Sequence, residues 1–543
     1  MKNGCLNATS LSLAFLGLCI ASESFAHEHQ ADTEWQPNEY SLAEAFAPTP
    51  LPDRVVLTWM GDPARSQAVT WRTDTTVKRA VGELAVASAN GRAINPARFE
   101  ATTQEYAADT NTAHYHTLNF VDLEPNTLYA YRVGDGVNWS EFFHFRTASE
   151  RPKPFRFVYF GDAQNDVRTH WSRVFREAFR DAPRAAFMLH AGDLINRDTR
   201  DVEWGEWHGA ASWVNATVPI IATPGNHEYH RARTGPASEQ FWTSKSGETL
   251  PIIVEVSPKG DGLDGYDVRV TSATGVVSSL TLDSMGKILA ADRAVMEQTG
   301  FSAEEVVGSL SYGPPLQVRP RDPGTLELSG HWRPQFAFPV QRAPKGLEET
   351  VYYIDYQGTR FISLNSNADL EAQVPWLRRV LKDNPNRWTI LTFHHPVFSP
   401  AAERDNAELR KLWKPLLDQY RVDLVLTGHD HSYARTGATS SLKTSENRDS
   451  GFQQVYDPEV GTVYVVSVSG PKMYPITSTP FARRVAEFTQ LYQVIDVSDA
   501  ELTYRAYTAT GELYDAFTLE KRPESANVLR ELLPPERRVP AKP

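Results

Sequence analysis

Cysteine is nearly absent: the 543 residues contain two, Cys5 and Cys19. Both lie in the N-terminal stretch that reads as a leader, so the chain after it has no thiol, no disulfide and no cysteine ligand for a metal. Positive charge is in deficit, with 55 Lys and Arg against 67 Asp and Glu, a formal net charge of -12. That balance excludes a broad basic face for nucleic acid or anionic lipid, and an anionic ligand would need a local attractor such as a bound dication. Long apolar runs are also missing. Residues 11–21 form the N-terminal one, which is short of a bilayer span, and no later segment is long and apolar enough, so no membrane span is expected. With Lys2 before that run and Ser24-Phe25-Ala26 after it, residues 1–26 read as a secretory signal peptide cut after Ala26, which implies a secreted or periplasmic location.

The chain does have the means to build cores. Hydrophobic residues make up 41%, with 13 Trp and 25 Phe, which is a globular composition, and the length favours two or three domains. Residues 27–52 are polar, acidic and Pro-containing and read as a linker. Residues 53–148 hold short β-branched and aromatic segments (54–59, 67–72, 114–120, 127–133 and 141–146) separated by turns such as Gly61-Asp62 and Asp135-Gly136, the pattern of an all-β sandwich. Within it, Leu123-Glu124-Pro125-Asn126-Thr127-Leu128-Tyr129-Ala130-Tyr131 resembles the late strand region of fibronectin type III domains. Its tyrosines are expected to pack and to make a corner hydrogen bond.

From residue 153 to 520 apolar strands alternate with helical segments, which indicates an α/β domain. Residues 245–330, rich in Gly, Pro, Ser and Thr, read as an insertion in it, and residues 521–543 as a charged, Pro-rich C-terminal tail.

Five motifs occur in this α/β region in order: Gly161-Asp162-Ala163-Gln164, Gly192-Asp193-Leu194-Ile195-Asn196, Gly225-Asn226-His227-Glu228, Phe393-His394-His395-Pro396 and Gly428-His429-Asp430-His431. Each follows an apolar run of strand length (155–160, 185–189, 218–222, 388–393 and 422–426). Strands of one sheet system would bring these Asp, Asn and His side chains to a single edge, where open α/β sheets place their sites. Oxygen and nitrogen donors of these types suit Fe, Mn or Zn. A carboxylate shared by two such cations sets them about 4 Å apart, and water on them can ionise near neutrality to a nucleophile.

The order of motifs resembles the calcineurin-like metallophosphoesterase superfamily, and with the sandwich in front it is most similar to the purple acid phosphatases. The resemblance implies an α/β four-layer domain, two mixed β-sheets flanked by helices. It also implies a secreted binuclear phosphoesterase acting on small-molecule phosphate monoesters through a metal-bound hydroxide. Asp162 and His431 would hold the first metal, Asn226, His394 and His429 the second, and Asp193 both. His227 would stabilise the transition state or protonate the leaving oxygen. One position departs from the purple pattern and another from the wider superfamily. Asn196 stands where a tyrosine colours ferric iron, and Gln164 stands where other members of the superfamily carry a histidine ligand. Gln164 binds through its amide oxygen or leaves its place to water, and the pair is expected to be divalent and colourless. His395 either lines the substrate pocket or packs structurally, and Tyr433 is either a further part of the pocket wall or a packed tyrosine. Two other readings stay open: a phosphodiesterase or nucleotide hydrolase of the same fold, and a secreted binding protein with a relic metal site.

Overall fold

The structure is a computed structural model that describes residues 40–232, 240–258, 266–283, 287–309, 312–313, 316–317, 319–320, 325–340, 342–401, 404–439, 445–446, 453–454, 461–476, 479, 481–522 and 525–532. The expected signal peptide lies outside the described residues. The chain divides after Ala45. The described part of the first unit is one helical turn, Leu42–Ala45, and the second unit holds everything that follows.

Two four-stranded antiparallel sheets form the N-terminal β-sandwich. One pairs Asp53–Thr58, Gln67–Asp74, Thr112–Phe120 and Thr102–Ala107, and the other pairs Ala97–Glu100, Val81–Val86, Leu128–Gly134 and Phe143–Arg146. Period-two alternation divides the first strand between two cores: Val55 and Leu57 face the sandwich interior, while Val56 packs with Trp59 against the next domain. The two tyrosines divide the work. Tyr129 Oη accepts the Glu124 N–H at 2.8 Å as a corner bond, whereas Tyr131 Oη donates to the Ala216 carbonyl at 2.7 Å and ties the sandwich to the α/β domain.

That domain is built on two seven-stranded mixed sheets. The first runs in the order Ile220–Ala222, Met188–His190, Phe155–Phe160, Leu491–Val497, Glu501–Thr508, Leu513–Glu520 and Val528–Glu531, with the first three strands parallel. The second runs Tyr352–Tyr356, Thr359–Ser363, Trp388–Thr392, Leu424–Thr427, Thr462–Val466, Tyr433–Thr439 and Ala482–Ala486, with four adjacent parallel strands from Thr359 to Val466. Their near-continuous apolar sequences follow from burial on both faces. Phe361, Ile390 and Leu424 meet the first sheet in the central core, and their neighbours Ile362, Leu391 and Val425 meet the helices Leu370–Lys382 and Ala407–Gln419 outside. On the far side Phe160 stacks on Phe175 of Ser172–Asp181, with Asp201–Ala211 beside it, completing four layers.

Three expected boundaries move. The insertion is rooted before residue 245: Tyr229–Ala232 pairs antiparallel with Thr325–Leu328, so its stalk begins directly after Glu228. Beyond the stalk an antiparallel sheet closes over Trp242, Ile252, Val270 and Leu280. The tail is not wholly a tail, since Val528–Glu531 adds an edge strand and Lys521 binds buried Asp423 at 2.6 Å. Phe46, inside the expected linker, lies against Gly205 so closely that a Cβ there would collide with its ring.

Candidate metal centre

The parallel strands end level. Phe160, His190 and Ala222 are register partners in one sheet, as are Thr392 and Leu426 in the other, and a bridge between Asp162 and Val468 joins the two sheet edges at that height. The residues after these ends, Asp162, Asp193, Asn226, His394, His429 and His431, therefore meet across the seam. The glycines before them answer a shortage of space: a Cβ on Gly225 would strike the Asp193 carboxylate, and one on Gly428 would strike Asp162 Oδ1. Asp193, His429 and His431 themselves sit at φ of 51°, 76° and 47°, the left-handed region that costs non-glycine residues energy and gathers at functional sites.

Asp193 is the hub. Its Oδ2 lies 3.1 Å from His394 Nε2 and accepts from Gln164 Nε2 at 2.8 Å, while Oδ1 accepts the His227 N–H at 2.9 Å. On one side Asp162 Oδ2 is 3.1 Å from His431 Nε2, which is also 3.1 Å from Gln164 Nε2. On the other, Asn226 Oδ1 lies 3.0 Å from His394 Nε2 and 2.9 Å from His429 Nδ1. Ligand atoms of Asp162, Asp193 and His431 fall within 4.8 Å of one another, and so do those of Asp193, His394 and His429.

Main-chain acceptors select the ring nitrogen that faces the centre. His394 Nδ1 donates to the Ala191 carbonyl and His431 Nδ1 to the Lys472 carbonyl, each at 2.9 Å, which turns Nε2 of both rings inward. His429 is reversed, with Nδ1 inward and Nε2 2.6 Å from Arg404 Nη2. Burial by itself would raise the Asp193 carboxyl, but His394 and His227 beside it hold it far below the usual carboxylate range. Reciprocally, burial would lower His394, and the Asp193 carboxylate overrides this and lifts it to about 9. Burial and the nearby imidazoles push His429 well down, and burial with the charge of His394 pushes His395 down to about 3.

The remaining predicted residues separate. His227 is half-buried, and its Nδ1 donates to the Asn196 carbonyl at 2.5 Å. The His395 ring stands 4.0 Å from that of His429, with Nδ1 2.9 Å from Ser366 Oγ. Tyr433 is not at the site: it is fully buried in the second sheet and donates to Asp515 at 2.7 Å, next to Arg435. The strand after His431 turns it inward, a direction its nearness in sequence could not reveal. Two residues at the centre had escaped the sequence reading. Glu228 accepts the N–H groups of Gly225, Asp193 and Leu194 and so ties two motif loops together, while burial and neighbouring Asp193 raise its carboxyl. Its adjacency to His227 was the available signal. Arg404, which also reaches Asp430 at 3.2 Å, had none.

Strand ends of two mixed sheets converging on carboxylate, amide and imidazole donors define the metallophosphoesterase fold class. Residues 52–147 match the purple acid phosphatase N-terminal domain, and residues 155–290 and 319–433 match the calcineurin-like phosphoesterases. The chain belongs to the calcineurin-like phosphoesterase family, in the purple acid phosphatase-like arrangement. Acid phosphatase type 7 of Danio rerio is 30% identical over 202 residues, 35% of this chain and 43% of that protein. Probable inactive purple acid phosphatase 1 of Arabidopsis thaliana is 22% identical over 450 residues, 75% of this chain and 58% of that one. In both cases the chain spans less than two thirds of the relative's length. The structure of purple acid phosphatase PPD1 from yellow lupin (Lupinus luteus) seeds shares the fold, with a TM-score of 0.56 at 17% identity, covering 87% of this chain and 75% of that one. No helix of the described residues is long and apolar enough to cross a membrane.

Proposed function

We propose that the protein is an exported two-metal phosphoesterase that hydrolyses small phosphate monoesters. The observation that carries this reading is the sharing of Asp193 by two triads of donors. One oxygen among them fits a cation: Asp162 Oδ2 is buried without a hydrogen-bond partner, an arrangement that native proteins seldom leave uncompensated, whereas Gln164 turns its amide nitrogen to Asp193 and His431 and would offer Oε1 to an ion with the amide rotated. Asp162, Gln164, Asp193 and His431 would hold one ion, and Asp193, Asn226, His394 and His429 the other. The donor chemistry suits Fe, Mn or Zn, and the absence of a phenolate at Asn196 favours a divalent, colourless pair. When bound, such a pair supplies Lewis acidity, an activated water and charge neutralisation for in-line displacement at phosphorus.

The chain's own groups provide orientation and proton control. His227 has Nδ1–H engaged by the Asn196 carbonyl, so Nε2 is the ring atom left to exchange a proton, and its role is to pass one to the departing oxygen. Arg404 contributes a fixed positive charge beside His429, suited to phosphate oxygens. His395, neutral and with its ring tilted against that of His429, forms a wall of the site.

The test is elemental analysis of the native protein alongside turnover of p-nitrophenyl phosphate and its bis-ester. Two ions per chain, and monoester turnover that a chelator abolishes and Mn, Zn or Fe restores, is the expected result. A faster bis-ester would move the substrate to phosphodiesters. A full metal load without turnover of either ester would overturn the enzyme in favour of a binding protein.

A further inference from the structure

His227 is held at one atom, and the group that holds it is itself held. Its Nδ1–H points at the Asn196 carbonyl, 2.5 Å away. That carbonyl shares a rigid peptide plane with the N–H of Arg197, so whatever fixes the N–H also fixes the direction of the carbonyl. One atom does this. Glu203 Oε2 accepts the Arg197 N–H at 2.7 Å and the Asn196 N–H at 2.8 Å. A carboxylate on the N–H also polarises the peptide and makes its carbonyl a better acceptor.

Glu203 lies in the first turn of the helix Asp201–Ala211, where an acidic residue is favoured by the helix dipole. A glutamate there commonly folds back to cap its own helix, but this one accepts instead from the loop after Asp193. The start of the helix is gripped by the β-sandwich. Arg54 makes a two-pronged bond to Asp201 at 2.7 and 2.9 Å, Arg72 adds one at 3.1 Å and Asn111 another at 2.8 Å, while the Asp201 N–H donates to Asp109 at 2.9 Å. Asp201 is 1% exposed, so these bonds are little screened.

We propose that Glu203 is a positioning residue for His227, acting through the Asn196 peptide, and that the sandwich anchors it through Asp201. This rests on the proposed role of His227 in protonating the leaving oxygen. A plain loop tie would lower activity on every ester alike. A positioning residue for the acid lowers it where the leaving group needs a proton and spares it where it does not.

The experiment compares the metal-loaded wild type, Glu203→Ala, Glu203→Gln, His227→Ala and the double alanine variant on p-nitrophenyl phosphate and on an alkyl phosphate. Glu203→Ala is expected to lose at least about tenfold more kcat on the alkyl ester than on the aryl ester, with metal content unchanged. The double variant should be no slower than His227→Ala, and Glu203→Gln, which keeps an acceptor oxygen, should recover most of the loss. Equal losses on both esters, or losses that add to those of His227→Ala, would overturn the proposal. If the wild type hydrolysed neither ester, the functional reading would fail on its own, and the His227 Nδ1–H resonance of histidine-labelled protein would still decide. Loss of that signal in Glu203→Ala and its return in Glu203→Gln would support the positioning role, and an unchanged signal would overturn it.

Discussion

The two halves of the donor cluster differ in depth. Asp162, Gln164 and His431 are 0%, 0% and 2% exposed, whereas Asn226 is exposed and His429 half-buried. His394, also of the open half, is itself 0% exposed, so the openness lies at Asn226 and His429. The sealed half is backed by both sheets, since the Asp162 carbonyl accepts from the Ser469 N–H and its Oδ1 from the His429 N–H. The open half rests on loop ends, and the half-buried His227, His395 and Arg404 surround it. Gln164 belongs to the sealed side, whereas Asn196 lies toward the open one, where its carbonyl accepts from His227.

The strongest way to erase the distinction is to remove what the halves share. Asp193→Ala should empty both and lower kcat by about three orders of magnitude or more, read by elemental analysis and by turnover. It also leaves the Gln164 amide and the His227 N–H without their acceptor.

A pH titration of metal uptake would sharpen the contrast. In the cation-free protein His394 keeps its proton up to about 9, because the Asp193 carboxylate outweighs burial. An ion entering the open half must displace that proton. Its apparent affinity should therefore rise by about tenfold per pH unit and level off near the His394 value, with about one proton released per ion below it. His429, already pushed well down, releases none. Calorimetry in buffers of different ionisation enthalpy would count the protons, and an affinity flat between pH 7 and 9 would contradict the assignment of His394.

Smaller effects are expected from the sealed half alone. Gln164→Ala should weaken retention of one ion by roughly tenfold while leaving the other in place, and Gln164→His, which supplies an imidazole, should strengthen it. Loss of both ions together would show that the halves are not separable. Iron-loaded wild-type protein should show no strong visible absorption, since Asn196 offers no phenolate.

Much of the site was legible because each donor is a short motif after an apolar run, and the ends of parallel strands must meet at one edge. What could not be read were contacts made across the sequence by unremarkable residues. Glu203 stands among other acidic residues of an ordinary helix start, and only folding brings its carboxylate under the peptide that holds His227. Arg404 is one arginine in a polar loop until it meets His429 and Asp430. Tyr433 was misleading in the opposite sense, since proximity to His431 suggested the pocket and strand alternation turned it toward Asp515.

The sequence by itself determined the class of fold, and it named the candidate donors, their order and the missing phenolate at Asn196. These depend on residue type and on periodicity, which are local properties. Tertiary structure decided which donors lie deep and which lie open, which nitrogen of each histidine faces inward, where the insertion is rooted and how the sandwich reaches the active loop. Each of these depends on atoms far apart in the chain meeting at hydrogen-bond distance, and only the packed sheets and the docked sandwich set those distances.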